Sequence, residues 1–297
     1  MQLPPSPRAG PIAVRVTGPQ LDLSARLTRP KGPPQGRQPE PPPGPSWTLE
    51  AKFDRALMAN GYLVAPLSVH AENDGRVFQR LHVEGSTRDQ GEFVLQIAPD
   101  GGVRHLTMTA AKAGDVLRAL DVTDTMQDGK LTVTGTYDDA APGRPLHGRA
   151  ELTDFRIAKA AGLGKLLQAM TLYGMVDVLR GPGLAFTDMV VPFTLADDVL
   201  DLADARAFSP SLGLTVKGRL DLDNDTADLQ GTIVPAYFFN SLLGNVPLVG
   251  RLFSPERGGG VFAARYSLKG KLDDPDVAVN PLSALTPGFL RGVFGIF

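Results

Sequence analysis

The chain has 297 residues, of which 42% are hydrophobic and 21% charged, so it is long enough to bury a substantial core and has an ordinary globular composition. Its net charge of −2 argues against nucleic-acid binding, because a basic face supplies most of that affinity. The lack of cysteine excludes disulfides, thiolate catalysis and cysteine-ligated metal, and it is compatible with an oxidising compartment.

The first 29 residues predict a strand hairpin that continues a sheet. Two groups of alternating apolar residues are separated by the turn sequence Thr17-Gly18-Pro19. The groups are Ile12, Val14 and Val16, then Leu21, Leu23 and Leu27. The start has no apolar segment typical of a signal peptide, so for a protein that acts outside the cytoplasm we expect the export signal to lie upstream of this sequence or in a partner chain.

Residues 30–46 form a proline-rich tract, in which eight of seventeen residues are proline. Proline lacks the backbone donor that a sheet ladder needs and favours extended polyproline geometry. The tract is therefore interpreted as a linker or surface loop that interrupts a sheet, rather than as a boundary between two domains. Residues 47–297 are assigned to one region.

From residue 47 onward, short runs of alternating apolar and polar residues predict antiparallel strands in a meander. Turn-forming residues bound the runs, as in Asn73-Asp74-Gly75. The runs are residues 47–53, 63–69, 77–83, 93–97 and 106–108. A strand–turn–strand unit then recurs at 129–135, 213–222 and 261–270 without a fixed period. We expect a mainly β protein with a strongly curved antiparallel sheet.

Three helical patterns interrupt the strands. Residues 113–120 place Val116, Leu117 and Leu120 on one face. Residues 158–180 carry apolar side chains at helical spacing and end at Gly181-Pro182-Gly183. Residues 237–253 are almost wholly apolar and are split by Pro247. Helices this apolar need cover, either within a core or at a lipid-like surface.

No motif in the chain predicts catalysis or a metal site, so we expect a non-enzyme without cofactors. The four histidines lie on separate segments without metal-ligand spacing and are interpreted as solvated or hydrogen-bonded strand residues. Asp221, Asp223 and Asp225 resemble the start of a calcium loop, but Thr226 and Thr232 replace its glycine and glutamate. Neither Gly258-Gly259-Gly260 nor the glycines before Lys165 have the spacing of a phosphate loop.

The carboxyl-terminal part carries a family resemblance. From Gly231 it reads Gly-Thr-Ile-Val-Pro-Ala-Tyr-Phe-Phe-Asn-Ser-Leu-Leu-Gly-Asn-Val-Pro-Leu-Val-Gly-Arg-Leu-Phe, and from Asp273 Asp-Asp-Pro-Asp-Val-Ala-Val-Asn-Pro-Leu-Ser-Ala-Leu-Thr-Pro-Gly-Phe-Leu-Arg. This end resembles the carboxyl-terminal region of the AsmA-like envelope proteins, the group of YhdP and TamB, and above all the YhdP-like members of alphaproteobacteria. The likeness covers about residues 47–297; the proline-rich tract departs from it.

The resemblance implies a curved β-sheet that forms an open, taco-like apolar groove with a few flanking helices. It implies non-catalytic, bridge-like phospholipid transport between the inner and outer membranes, and maintenance of outer-membrane integrity. The implied location is the periplasm or cell envelope, with a tether to the inner membrane upstream of this sequence. Expected partners are phospholipid acyl chains, the membrane surface and other envelope proteins. The alternative is a scaffold for outer-membrane assembly that has a closed core and acts through protein contacts.

Two sets of residues are candidates for contact with lipid. The candidates for the groove lining are Met189, Val191, Phe193, Leu195, Leu212, Leu214, Val216, Leu220 and Leu222. The candidates for a helix that closes the groove or touches the membrane are Phe238, Phe239, Leu242, Leu243, Leu248, Val249, Leu252 and Phe253. The alternative for both sets is ordinary packing in the core.

Overall fold

The structure is a computed structural model that describes residues 10–27, 42–87, 90–158, 160–171, 183–210, 212–235 and 263–282. Within these ranges fifteen strands form a single curved sheet that does not close on itself. The strands are β1 (Ile12–Asp22), β2 (Trp47–Leu57), β3 (Leu63–Val64), β4 (Leu67–Asn73), β5 (Phe78–Thr87), β6 (Gly91–Asp100), β7 (Val103–Ala110), β8 (Met126–Tyr137), β9 (Leu146–Ile157), β10 (Leu184–Ala196), β11 (Val199–Phe208), β12 (Leu212–Asp221), β13 (Thr226–Pro235), β14 (Ala263–Lys271) and β15 (Asp276–Leu282).

The sheet follows the order of the sequence. Each strand from β4 to β15 pairs antiparallel with the next, β2 pairs with both β4 and the short β3, and β1 lies beside β2. The predicted mainly β fold, with a curved and open sheet, is confirmed.

Tight turns explain the meander. The β6–β7 and β10–β11 turns each place two residues at positive φ, Gly101 and Gly102 in one and Asp197 and Asp198 in the other. This is the backbone twist that two-residue hairpin turns need, and glycine and aspartate adopt it more readily than most residues. The β12–β13 turn, which the sequence showed to be unfit for calcium, is held by Asp221, whose carboxylate accepts hydrogen bonds from the backbone and side chain of Asn224.

The predicted hairpin in residues 1–29 is wrong. Residues 12–22 form one strand that runs through Gly18 and Pro19 and pairs parallel with β2. Proline is tolerated because β1 is an edge strand of the described sheet, where one side of the backbone needs no ladder partner. The long connection that contains the proline-rich tract allows the parallel pairing, since a crossover of this kind needs a dozen or more residues.

In the described ranges, three α-helices accompany the sheet: α1 (Ser24–Leu27), α2 (Ala113–Ala119) and α3 (Ala161–Thr171), with a short 3₁₀ turn at Ala59–Gly61. The predicted helix at 113–120 is thus confirmed. That at 158–180 is confirmed over Ala161–Thr171, while residues 172–180 lie outside the described part. The predicted helix at 237–253 also lies outside it. None of the helices described is long and apolar enough to cross a membrane.

The curvature of the sheet can be judged from the reach of the chain. Gly162 follows Ile157, at the end of β9, by five residues, so it can lie no more than about 18 Å away. A Cβ atom placed on Gly162 would nevertheless lie 2.5 Å from Leu268 on β14. Five strand spacings separate β9 from β14, or about 24 Å across a flat sheet, and the β9 residue level with Leu268 is Gly148, which lies about 30 Å along the strand from Ile157. The sheet therefore curls between these strands and brings the end of β9 towards β14.

Candidate functional site: an apolar face that spans the sheet

Strand register gathers apolar residues into three rows on one face of the sheet. Directly paired residues on neighbouring strands point to the same face, so the pairs can be followed from β1 to the far end, leaving out β3. Row 1 is Val14, Leu49, Ala71, Leu81, Ile97, Leu106, Gly135, Gly148, Phe193, Leu202, Gly218, Leu229, Leu268 and Val277.

Rows 2 and 3 run beside row 1. Along each strand, row 2 lies two residues from row 1, and row 3 lies two residues beyond row 2. Row 2 is Val16, Ala51, Val69, Val83, Leu95, Met108, Val133, Ala150 and Val191, then, after a bulge, Ala205, Val216, Gly231, Tyr266 and Val279. Row 3 is Gly18, Phe53, Leu67, Gly85, Phe93, Ala110, Leu131, Leu152, Met189, Ala207, Leu214, Ile233 and Ala264. The three rows contain no charged residue; we call them together the apolar face.

Five of the predicted lining residues lie on this face, namely Met189, Val191, Phe193, Leu214 and Val216, and the other four lie beyond its three rows. Register through β11 joins the candidates on β10 to those on β12, in the series Met189–Ala207–Leu214, Phe193–Leu202–Gly218 and Leu195–Leu200–Leu220. Val191 and Val216 lie in row 2, and Leu212 is buried at the end of β12. Leu222 lies just past the end of β12, in the turn to β13.

Sequence reasoning missed the contribution of β11 to the face. Leu200 and Leu202 share a face with Ala205 and Ala207, although strict alternation along the strand would place the two pairs on opposite faces. A register shift between Leu202 and Ala205 restores the alignment. The break in alternation at Ala203-Asp204 was the available signal, but a bulge cannot be located from one strand alone.

The rows differ in accessibility. Row 3 is mostly buried, and many of its members belong to the continuous core, together with Leu166 and Leu167 of α3 and Val116 of α2. Rows 1 and 2 are mostly half-buried, as Val191, Phe193 and Val216 are. At the β1 edge Val14 and Val16 are each 40% exposed. The accessible part of the apolar face is therefore a strip along rows 1 and 2.

Tyr266 carries the only hydroxyl group in the three rows, and that group is fully engaged. It donates a 2.7 Å hydrogen bond to the Thr215 carbonyl oxygen, and burial raises the pKa of Tyr266 above its ordinary value of 10.0. The phenol reaches β12 because its ring crosses Gly231, where a Cβ atom would overlap the Thr215 carbonyl. The face therefore contains no unpaired hydroxyl at this point.

An ion pair lies on the apolar side at the ends of the central strands. Arg104 is 5% exposed, donates two hydrogen bonds to Asp139, of 2.8 and 2.6 Å, and one of 3.0 Å to the Phe78 carbonyl, and lies over the Tyr137 ring. Hydrogen bonding by Arg104 lowers the pKa of the Asp139 carboxyl, and burial raises the pKa of Tyr137. These contacts use the donors of Arg104 to connect β5, β7 and the β8–β9 loop.

The opposite face of the sheet is polar. Its row between rows 1 and 2 reads Glu50, His70, His82, Gln96, Thr107, Thr134 and Arg149 from β2 to β9. As predicted, His105 and His147 share hydrogen bonds with threonine hydroxyls, those of Thr136 and Thr194. Across the described ranges, no group of three or more histidine or carboxylate side chains could hold a metal ion.

A shallow pocket of about 390 Å³ lies over β7–β9, lined by side chains of this polar face, such as His105 and His147, around Gly135 and Gly148. The predicted end-closing or membrane-contacting residues, Phe238 to Phe253, lie outside the described part of the chain.

Comparison of the chain with protein-family models, with curated proteins and with solved structures gave no match.

Proposed function

We propose that the chain is a non-catalytic lipid carrier, in which the accessible strip of the apolar face holds phospholipid acyl chains. In this proposal it is the carboxyl-terminal part of a bridge-like protein of the cell envelope. The protein moves phospholipid between the inner and outer membranes and maintains the outer membrane, and a segment upstream of this sequence tethers it to the inner membrane. The observation that carries the proposal is the uninterrupted apolarity of rows 1 and 2 over fourteen paired strands.

The dimensions of the strip suit a bridge better than a single pocket. Thirteen strand spacings give roughly 60 Å along the rows, and two adjacent rows lie about 7 Å apart. Contact between hydrocarbon and these side chains needs no directional partner, and each methylene removed from water contributes about 0.8 kcal/mol. A strip without charged groups offers an acyl chain similar surroundings along its whole length.

A pair of neighbouring valines tests the proposal. Val191 lies in row 2, whereas Val190 points to the opposite face, between its partners Glu151 and Arg206. We expect Val191→Asp to lower the affinity for phospholipid at least tenfold, because a bound tail would strip water from the carboxylate. Val190→Asp, the same change on the same strand, should leave binding unchanged.

Native mass spectrometry would detect phospholipid that co-purifies with the protein, and titration with a fluorescent phospholipid would give the affinity of each variant. Unfolding temperatures of both variants show whether either change disturbs the fold. A wild-type protein that neither carries phospholipid nor binds it would refute the proposal. So would equal affinities for the two variants.

The alternative function, a scaffold that acts through protein contacts, is favoured by a different observation. Row 3 and the helices form a filled core, so part of the apolar face already has protein cover. A scaffold would leave the wild-type protein without lipid, and both valine variants would keep their protein partners. Cross-linking in envelope extracts followed by identification of the partners would then separate the two functions.

A further inference from the structure

We propose that α3 is a displaceable plug on the apolar face, which a lipid must lift to pass the β14–β15 end. This inference rests on the proposed function. The helix packs on β14 and β15, and its buried residues Leu166 and Leu167 share one core with the row 2 residues Tyr266 and Val279. The helix therefore occupies the surface that a tail would need at this end.

Close contact holds the first turn of α3 to the sheet. A Cβ atom placed on Gly162 would lie 2.5 Å from the Leu268 side chain of row 1 and 3.3 Å from the ring of Pro275. The Pro275 side chain is itself fully buried. Glycine at this position lets the helix approach the strands more closely than any other residue would.

Lys165 binds the start of the helix to the β14–β15 turn from outside the core. Its ammonium group donates a 2.6 Å hydrogen bond to Asp274 and one of 2.8 Å to the Pro275 carbonyl, both in the β14–β15 turn. The side chains of this ion pair are 42% and 82% exposed, so water and salt weaken it. Lys165 therefore acts as a latch that can open without desolvated charge being left behind.

The plug connects distant parts of the chain. Lys165 and Asp274 are 109 residues apart, and α3 leaves β9 to reach the last strands of the sheet. A helix of eleven residues has little stability away from its partner surface. Lipid and helix therefore compete for one surface, and lipid that fills the end of the strip should release α3.

Two opposite perturbations test the plug. The chain has no cysteine, so Lys165→Cys with Asp274→Cys can be joined by a short bifunctional maleimide. The fixed helix should slow the release of a fluorescent phospholipid to acceptor vesicles of phosphatidylethanolamine and phosphatidylglycerol at least fivefold. The double variant Gly162→Ala with Lys165→Gln should speed release, because it weakens both the close packing of the helix on the strands and the ion pair that holds it there.

Gly164→Ala is the matched control, since Gly164 is an exposed residue of the same helix and a Cβ atom there would meet nothing within 4 Å. Its release rate should change far less than that of the cross-linked protein, because a Cβ atom at this position touches neither the strands nor the Lys165 contact. Hydrogen exchange adds a measurement without mutation: amides of α3 should exchange faster when the protein carries phospholipid.

The outcomes separate the plug from the proposed function. If the wild type binds phospholipid but the cross-linked protein releases it at the same rate, the plug is refuted and the carrier function stands. Unchanged exchange in α3 on lipid loading would refute the plug as well. If the wild type binds no phospholipid, both fail.

Discussion

Gly231 offers a sharp test of how the apolar face is built. Replacement by alanine would place a methyl group against the Thr215 carbonyl oxygen and 2.8 Å from the Tyr266 hydroxyl. The first obstacle is backbone in the middle of the sheet, which cannot rotate away as a side chain can. We therefore expect the strands to shift and the buried hydrogen bond from Tyr266 to be weakened.

The magnitude follows from two contributions. Overpacking in a well-packed interior costs about 1–3 kcal/mol, and disturbance of a buried hydrogen bond costs about 1–3 kcal/mol. Their sum for Gly231→Ala is about 2–6 kcal/mol of unfolding free energy, with a midpoint of about 4 kcal/mol. For a chain of this size that corresponds to a fall of about 6 °C in the unfolding temperature.

Circular dichroism during thermal and urea unfolding measures both quantities. Gly164→Ala is again the control: it should stabilise the protein by about 0.5–1 kcal/mol, because alanine favours an exposed helical position over glycine. A Gly231→Ala variant within about 0.5 kcal/mol of the wild type would refute the close contact between β12, β13 and the phenol of Tyr266.

Two further predictions concern pH. Tyr266→Phe should cost about 1–2 kcal/mol at neutral pH, because the Thr215 carbonyl loses its donor. Because the pKa of Tyr266 is raised in the folded state, its contribution to the free energy of unfolding is fully present below pH 10 and is lost as the pH rises further. Urea unfolding of the Tyr266→Phe variant should therefore show a smaller loss of stability at alkaline pH. Asp139→Asn should cost about 1 kcal/mol at pH 7, since the Asp139 side chain is 37% exposed. Because the pKa of Asp139 is lowered in the folded state, its contribution to the free energy of unfolding is present above pH 3.8 and is lost as the pH falls below it. The stability of the Asp139→Asn variant should therefore depend less on pH in the acid range.

The strand pattern could be predicted from the sequence because its cause is local. Alternation with period two is read within a few residues, and turn residues such as Asp197 and Asp198 mark where each strand ends. Since neighbouring strands also follow each other in the chain, the same pattern gave the antiparallel order of the sheet. For this reason the sequence could predict that Met189 and Leu214 lie on the same face of the sheet.

Features that depend on distant pairing could not be predicted. The parallel position of β1 depends on where the chain returns after the proline-rich tract, and Pro19 looked like a turn residue until its edge position was known. The seat of α3 depends on Leu268 and Pro275, more than 100 residues away from Gly162. Its Gly-Leu-Gly-Lys sequence suggested only a comparison with phosphate loops, whereas the glycine and the lysine serve helix docking.

The polar face shows why the apolarity of rows 1 and 2 calls for an explanation. Between these rows, on the other side of the same strands, residues such as His82, Gln96 and Thr107 pair with one another from β2 to β9. Strand pairing alone therefore does not require apolar side chains at these positions. An apolar residue that remains half-buried gains only part of its burial energy, and a long exposed apolar strip favours aggregation. Burial in the core accounts for row 3 and for the row 2 residues that pack against it, such as Val133 and Val216, but it does not account for most of row 1 or for the accessible part of row 2. A hydrocarbon ligand that fills the strip would supply the missing contact, which is the physical basis of the carrier proposal.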